Sequence, residues 1–303
     1  MTWFLLGILS ALFLGCYDVS KKLSLTDNRV ITVLTLSVCI SSLLLLPMLV
    51  LSRTNTEMMQ QTIFFVPKID LRTHLYILLK SVIVLSSWVF AYMAMKHLPL
   101  TIVTPINATR PMWTLVGALI IFGEQLNSWQ WAGVVVCLLS FYAFSLVGKK
   151  EGVSFVHNRW IWALIAGTLL GASSGLYDKY LMHKFDHNAV QVFYTFYQAA
   201  LMLVVWIVDS LRHHKTIKQS VSSVNWHWSI ALISVFLVAS DFVYLLALTY
   251  PDSLISVLSA VRRSGVVVSF LFGIFVLHDK NPRLKTLCLI GVMIGILLLF
   301  IGS

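Results

Sequence analysis

Across 303 residues, 58% are hydrophobic and 11% charged, with a mean hydropathy of +0.86. That is far more apolar surface than one soluble core can bury, so a soluble globular fold is excluded and an integral membrane protein is implied. The net charge of +10 would suggest nucleic acid in a soluble domain, but most Lys and Arg fall in short connections beside lipid headgroups, which argues against a nucleic-acid partner.

The first apolar stretch, Thr2 to about Leu23, has neither a basic leader nor a small-residue cleavage site and is expected to be a retained span. Further stretches of about 17 to 25 residues, the length that crosses hydrocarbon, run near Val30–Leu51, Leu75–Met95, Leu100–Phe122 and Trp129–Val147. A polar run from Lys149 to Asn158 follows. A second set then lies near Trp160–Met182, Ala189–Leu211, Trp226–Thr249, Ser253–Val276 and Lys285–Ile301. The fold class expected is therefore all-α, a polytopic bundle of ten membrane helices.

The two sets echo each other. Gly15-Cys16-Tyr17-Asp18 returns as Gly175-Leu176-Tyr177-Asp178, and the same shift of 160 carries Gly7 to Gly167, Asn28 to Asn188 and Val30 to Val190. Five spans per copy is an odd number, so the copies must cross the bilayer in opposite senses, as in the inverted repeats of secondary transporters. The boundary falls in the polar run, giving repeats at 1–150 and 151–303.

Charges inside apolar spans are the best pointers to function, since each costs about 2.5 to 3.5 kcal/mol at a helix centre. Arg110 and Arg263 each lie about eleven residues into their spans, near the midplane at 1.5 Å per residue, and a shift of 153 relates them, as it relates Ser87 to Ser240 and Ala94 to Ala247. Either they bind a ligand or acidic neighbours such as Asp18, Asp178 or Asp241 pin them. Pro105 and Pro111 bracket Arg110 and remove two helical donors, so a kinked or unwound segment holding Asn107 is the first candidate for a substrate site. Trp88, Tyr92, Trp113 and Tyr244 are candidates to wall a cavity or, singly, to face lipid. Asp18, Asp178 and Arg262 are candidate gating groups, and Asp241, deep in the eighth span, is a candidate carrier of a coupling proton.

Gly7, Ala11 and Gly15, and again Gly167, Gly171 and Gly175, form small-residue stripes that let helices approach closely, through ordinary bundle packing or otherwise. Gly291 and Gly295 give the tenth span a shorter stripe, suited to an intramolecular seam or a homodimer face. Loops after the odd-numbered spans are rich in Lys and Arg, which by the positive-inside rule places both termini outside. Four cysteines, Cys16, Cys39, Cys137 and Cys288, stand singly without disulfide or metal-ligand spacing, and no cofactor motif occurs.

Ala94-Met95-Lys96-His97 leads into a Pro-containing span ending in Phe122-Gly123-Glu124-Gln125-Leu126, followed by Trp131-Ala132-Gly133. In the second half Ala247-Leu248-Thr249-Tyr250 precedes Arg262-Arg263-Ser264-Gly265, His278-Asp279-Lys280 and Ile290-Gly291. This duplicated order resembles the EamA branch of the drug/metabolite transporter superfamily. The resemblance implies ten helices around a central cavity, alternating access, and export of a small metabolite from a bacterium through its inner membrane. It also implies cytoplasmic termini, against the charge count, so orientation stays open. Asp279 stands where the family usually has glutamate, and Glu124 at a helix end reads as structural. Amino-acid-like or other anionic and amphipathic solutes suit the arginines. A membrane-embedded enzyme would need a converging cluster, and His183, His187, His213 and His214 lie in loops on opposite faces. A non-transporting membrane subunit would need no polar midplane.

Overall fold

The computed structural model describes residues 2–25, 28–97, 106, 109–146, 158–212, 225–265, 267–268, 272 and 282–302. The described elements are helices: α1 (Thr2–Leu25), α2 (Val30–Thr54), the short α3 (Thr56–Gln60), α4 (Leu71–His97), α5 (Arg110–Ile121), α6 (Ser128–Leu146), α7 (Arg159–Met182), α8 (His187–Arg212), α9 (Trp228–Leu248), α10 (Ile255–Arg263) and α11 (Pro282–Gly302). Among the described residues, six helices, α1, α2, α4, α7, α8 and α9, are long and apolar enough to cross a membrane, and shorter apolar stretches lie at Arg110–Ile121, Ser128–Ser140 and Ile290–Gly302. The chain is thus all-helical and multi-pass.

The ends of these helices follow local chemistry. Asp70 caps α4: its carboxylate accepts from the Thr73 hydroxyl and from the Thr73 N–H at 3.1 Å, and these bonds hold the acid below its usual range. Asn158 caps α7 by accepting the Trp160 N–H at 2.9 Å. The fourth and ninth spans depart most from the expected continuous crossings. Thr109 stands in a turn, its hydroxyl donating to the Ile106 carbonyl at 2.7 Å, and α5 starts at Arg110 with Pro111, which has no N–H to offer, in its first turn. In the ninth span α10 stops at Arg263, and the chain turns through Ser264 and Gly265. At 1.5 Å per residue these helices are about 18 and 14 Å long, roughly half a crossing each. Arg110 and Arg263 therefore both sit at helix ends.

Packing joins the two sets of helices crosswise. Helix α1 lies antiparallel along α9, tied by Ser10 to Ser240 (3.1 Å) and Ser24 to Ser229 (2.6 Å). Likewise α4 lies antiparallel along α7, through Ser87 Oγ to the Gly167 carbonyl (2.7 Å) and Tyr177 Oη to the Tyr76 carbonyl (3.2 Å). Helix α2 meets α8, α6 meets α11, and α5 meets α10.

The glycine stripes set how close these approaches are. A Cβ on Gly7 would strike Leu258 of α10, and one on Gly15 the Gly265 carbonyl and Val268. One on Gly167 would lie 3.1 Å from backbone atoms of Ser87 and Ala91. Of the two roles open to the tenth-span stripe, it takes the intramolecular one: Gly291 faces Ser140, and Gly295 faces Cys137 and Gly133, all on α6.

Candidate functional site

A cavity of about 290 Å³ opens between α1, α4, α5, α7, α8, α9 and α10. Its wall carries eight charged side chains: Asp18 and Lys21 from α1, Lys80 from α4, Arg110 from α5, Asp178 from α7, Asp241 from α9, and Arg262 and Arg263 from α10. Charge at this density inside a bundle is costly unless paired or answered by a ligand.

Two pairs form across the cavity. Lys80 Nζ lies 2.8 Å from Asp178 and stands 4.2 Å from the centre of the Tyr194 ring. Arg262 donates to Asp241, and its guanidinium stacks 4.0 Å over the Tyr244 ring. The cations thereby gain both Coulombic and cation–π stabilisation. Arg110 is held differently, its Nη2 donating to the Gly171 carbonyl at 2.5 Å. Gly171 is what admits it, for a Cβ there would lie 2.6 Å from Arg110 Cζ. Among the described residues, neither Arg110 nor Arg263 has a carboxylate oxygen within 4.0 Å. Two of the acids that could have pinned them are committed to Lys80 and Arg262, and Asp18 lies near Arg263 with no oxygen within 4.0 Å of it.

Exposure differs among the charged residues of the cavity. Asp18 at one end is exposed, the Asp241 and Arg262 side chains are 22% and 19% accessible, and those of Asp178 and Lys80 are 11% and 5% accessible. One residue past Asp178 and one helical turn before Ser259 the protein closes. There Glu124 accepts from Lys179 Nζ (2.6 Å), the Ile255 N–H (2.7 Å), the Ser256 N–H (3.2 Å) and the Ser256 hydroxyl, while Lys179 also donates to the Ser253 carbonyl at 2.6 Å. A carboxylate on the positive end of α10, with a lysine against it, is a buried and fully answered cluster.

Of the residues singled out in the sequence, Arg110, Arg263, Arg262, Asp18, Asp178, Asp241, Trp88 and Tyr244 come together on this wall, with Gly171 and Gly175. Trp113 is not among the lining residues; it is 40% exposed, and its indole N–H donates to Thr109 Oγ1 at 3.2 Å. Asn107 and Asp279 lie outside the described residues, as does the side chain of Tyr92. Lys80 and Tyr194 were missed. Lys80 could have been found by the rule that singled out Arg110, being a charge ten residues into an apolar helix. Gln198 was missed as well: it borders an annex of about 20 Å³ that shares Asp241, Trp88 and Tyr194 with the main cavity. Both of its amide atoms are buried without a hydrogen-bond partner among the described residues.

Among the described residues no cluster of His, Cys, Asp and Glu suited to a metal ion occurs. Residues 1–146 match the EamA-like transporter family. That family is one of membrane transporters, in line with the apolar helices. No curated protein matches the chain. One crystal structure superposes over 100% of this chain and 99% of its own with a TM-score of 0.73 at 12% identity, a likeness that shows the fold alone.

Proposed function

We propose that this chain, EamA-like over residues 1–146, is a secondary transporter that exports a small anionic or amphipathic solute, amino-acid-like in size, across a bacterial inner membrane. The observation that carries this is the cavity itself, whose wall holds Arg110 and Arg263 without a carboxylate partner among the described residues. Each such charge costs about 2.5 to 3.5 kcal/mol at membrane depth, and an anionic solute would offset it through charge-assisted hydrogen bonds.

The architecture proposed is ten helices in two inverted repeats, 1–150 and 151–303. What supports it is the exchange of partners: α1 on α9 answers α7 on α4, and α1 on α10 answers α7 on α5. Two copies related by an axis in the membrane plane exchange partners in this way. Alternating access then closes the mouth at Asp18 and Lys21 while the Glu124 and Lys179 end opens. Arg110, Arg263, Trp88 and Tyr244 bind the solute, Asp18, Asp178 and Arg262 gate it, and Asp241 couples it to protons by exchanging Arg262 for a proton. Glu124 and Gly167 hold the frame, Gly171 makes room for Arg110, and Gly175 leaves open space beside Tyr244.

Proteoliposomes loaded with a panel of labelled metabolites test the proposal, with and without a pH gradient. Arg110→Ala is expected to abolish flux of the transported solute while the detergent-purified protein stays folded, and Asp241→Asn to remove its dependence on the gradient. Wild-type flux in Arg110→Ala would place the binding site elsewhere.

A further inference from the structure

Two of the cavity's cations are answered by carboxylates, and among the described residues Arg110 and Arg263 have no carboxylate oxygen within 4.0 Å. Lys80 is answered by Asp178 and Arg262 by Asp241. At the mouth, Asp18 lies near both Lys21 and Arg263, and none of its oxygens comes within 4.0 Å of Arg263. Arg110 and Arg263 remain, on two helices, α5 and α10, that pack against each other. Their local settings differ in a telling way. Arg263 ends its helix, where the negative pole of the dipole favours a cation, whereas Arg110 begins its helix, where the positive pole adds to its own charge. The carbonyl of Gly171 is a neutral acceptor and does not cancel that charge.

The remaining wall speaks against a large apolar solute. The faces of Tyr194 and Tyr244 are taken by Lys80 and Arg262, and the volume of about 290 Å³ is at the small end for a ligand pocket. An ammonium group set against either free guanidinium would meet like charge, so a zwitterion can satisfy only one of the two.

We infer that the solute carries two separate acidic groups, one for Arg110 and one for Arg263, and is a small dicarboxylate, not a monocarboxylate or a simple zwitterion. This rests on the transport reading above. Each planar guanidinium presents a fork that matches one carboxylate, and two forks on different helices favour two groups joined by a short skeleton.

Thermal unfolding of the detergent-purified full chain, followed by counterflow in proteoliposomes, compares succinate, butyrate, 4-aminobutyrate and inorganic phosphate. Succinate is expected to raise the unfolding temperature and to exchange at concentrations where the other three, at tenfold excess, do neither. Arg110→Gln and Arg263→Gln should each weaken succinate at least tenfold and erase its advantage over butyrate. Arg110→Lys and Arg263→Lys keep the charge but lose the fork, and should weaken succinate while the protein still purifies folded. If butyrate, 4-aminobutyrate or phosphate matches succinate in an Arg110-dependent manner, the two-group assignment falls and transport stands. If no anion, in this panel or the wider one, binds or moves, both fall together.

Discussion

Arg110 shows how one side chain depends on what a neighbour lacks. Its guanidinium reaches the Gly171 carbonyl only because α7 has no Cβ at that point. Gly171→Ala should push the guanidinium off this acceptor and cut flux at low solute concentration about tenfold, since a hydrogen bond to a charged group contributes about 1.5 to 3 kcal/mol. Gly175→Ala is the internal control. A Cβ there would meet only Tyr244 Oη at 3.8 Å, so transport rates should match wild type. Equal loss in both variants would mean that the stripe serves general packing and not the arginine. In the sequence the two glycines were indistinguishable members of one stripe. Which of them faced a guanidinium depended on how α5 crosses α7, which no local pattern records.

The short helix α10 is the element on which the closed end turns. It begins under Glu124, which takes two of its orphan N–H groups and the Ser256 hydroxyl, and it finishes at the two cavity arginines. One short helix thus joins the buried Glu124 cluster to the cavity wall. Glu124→Ala would leave Lys179 buried with only neutral partners among the described residues, the Ser253 carbonyl and the Phe122 ring, and removing one partner of such a pair costs about 3 to 5 kcal/mol. The expected result is a drop of several degrees in the unfolding temperature in detergent, and an unchanged midpoint would show that the cluster does not hold the fold. Breaks in the fourth and ninth spans were legible to different degrees. Pro111 announced the first, because a missing N–H is a property of the residue itself. The second carries no proline; Ser264 and Gly265 permit a turn there, and the close packing of Gly265 against Ala11 and Gly15 accompanies it.

For the whole molecule, small and polar residues repeat along the sequence but most cavity charges do not. Under the shifts of 153 and 160, Lys80 corresponds to Ile233, Asp241 to Trp88 and Arg262 to Thr109. Only the aspartates at 18 and 178 and the arginines at 110 and 263 are matched. Where a frame can present its site to either face, unmatched ion pairs make the two presentations unequal in energy and so unequally populated, while the direction of net flux is set by the gradients. The occupancy of the two faces can be read by labelling. With Cys16, Cys39, Cys137 and Cys288 replaced, Leu14→Cys near the mouth should react with an impermeant thiol reagent from one side of a vesicle. Ser259→Cys near the closed end should stay protected until solute drives turnover. Labelling of both from the same side at the same rate, with and without solute, would contradict alternating access.

By itself the sequence determined the solvent, the helical class, the doubling of the residue pattern and the place of Arg110 and Arg263 inside apolar runs. These depend on composition, on the length of apolar runs and on identities repeated at a constant shift, all of which are local or linear properties. Only the tertiary structure decided that Lys80 meets Asp178, that Arg262 takes Asp241, and that Glu124 caps a helix 131 residues further on. Ion pairing inside a bundle is settled by which helix faces touch, and those faces are chosen by packing among helices far apart in the chain. That packing assigned Asp178 and Asp241 to other cations and left Arg110 and Arg263 without a carboxylate oxygen within 4.0 Å among the described residues.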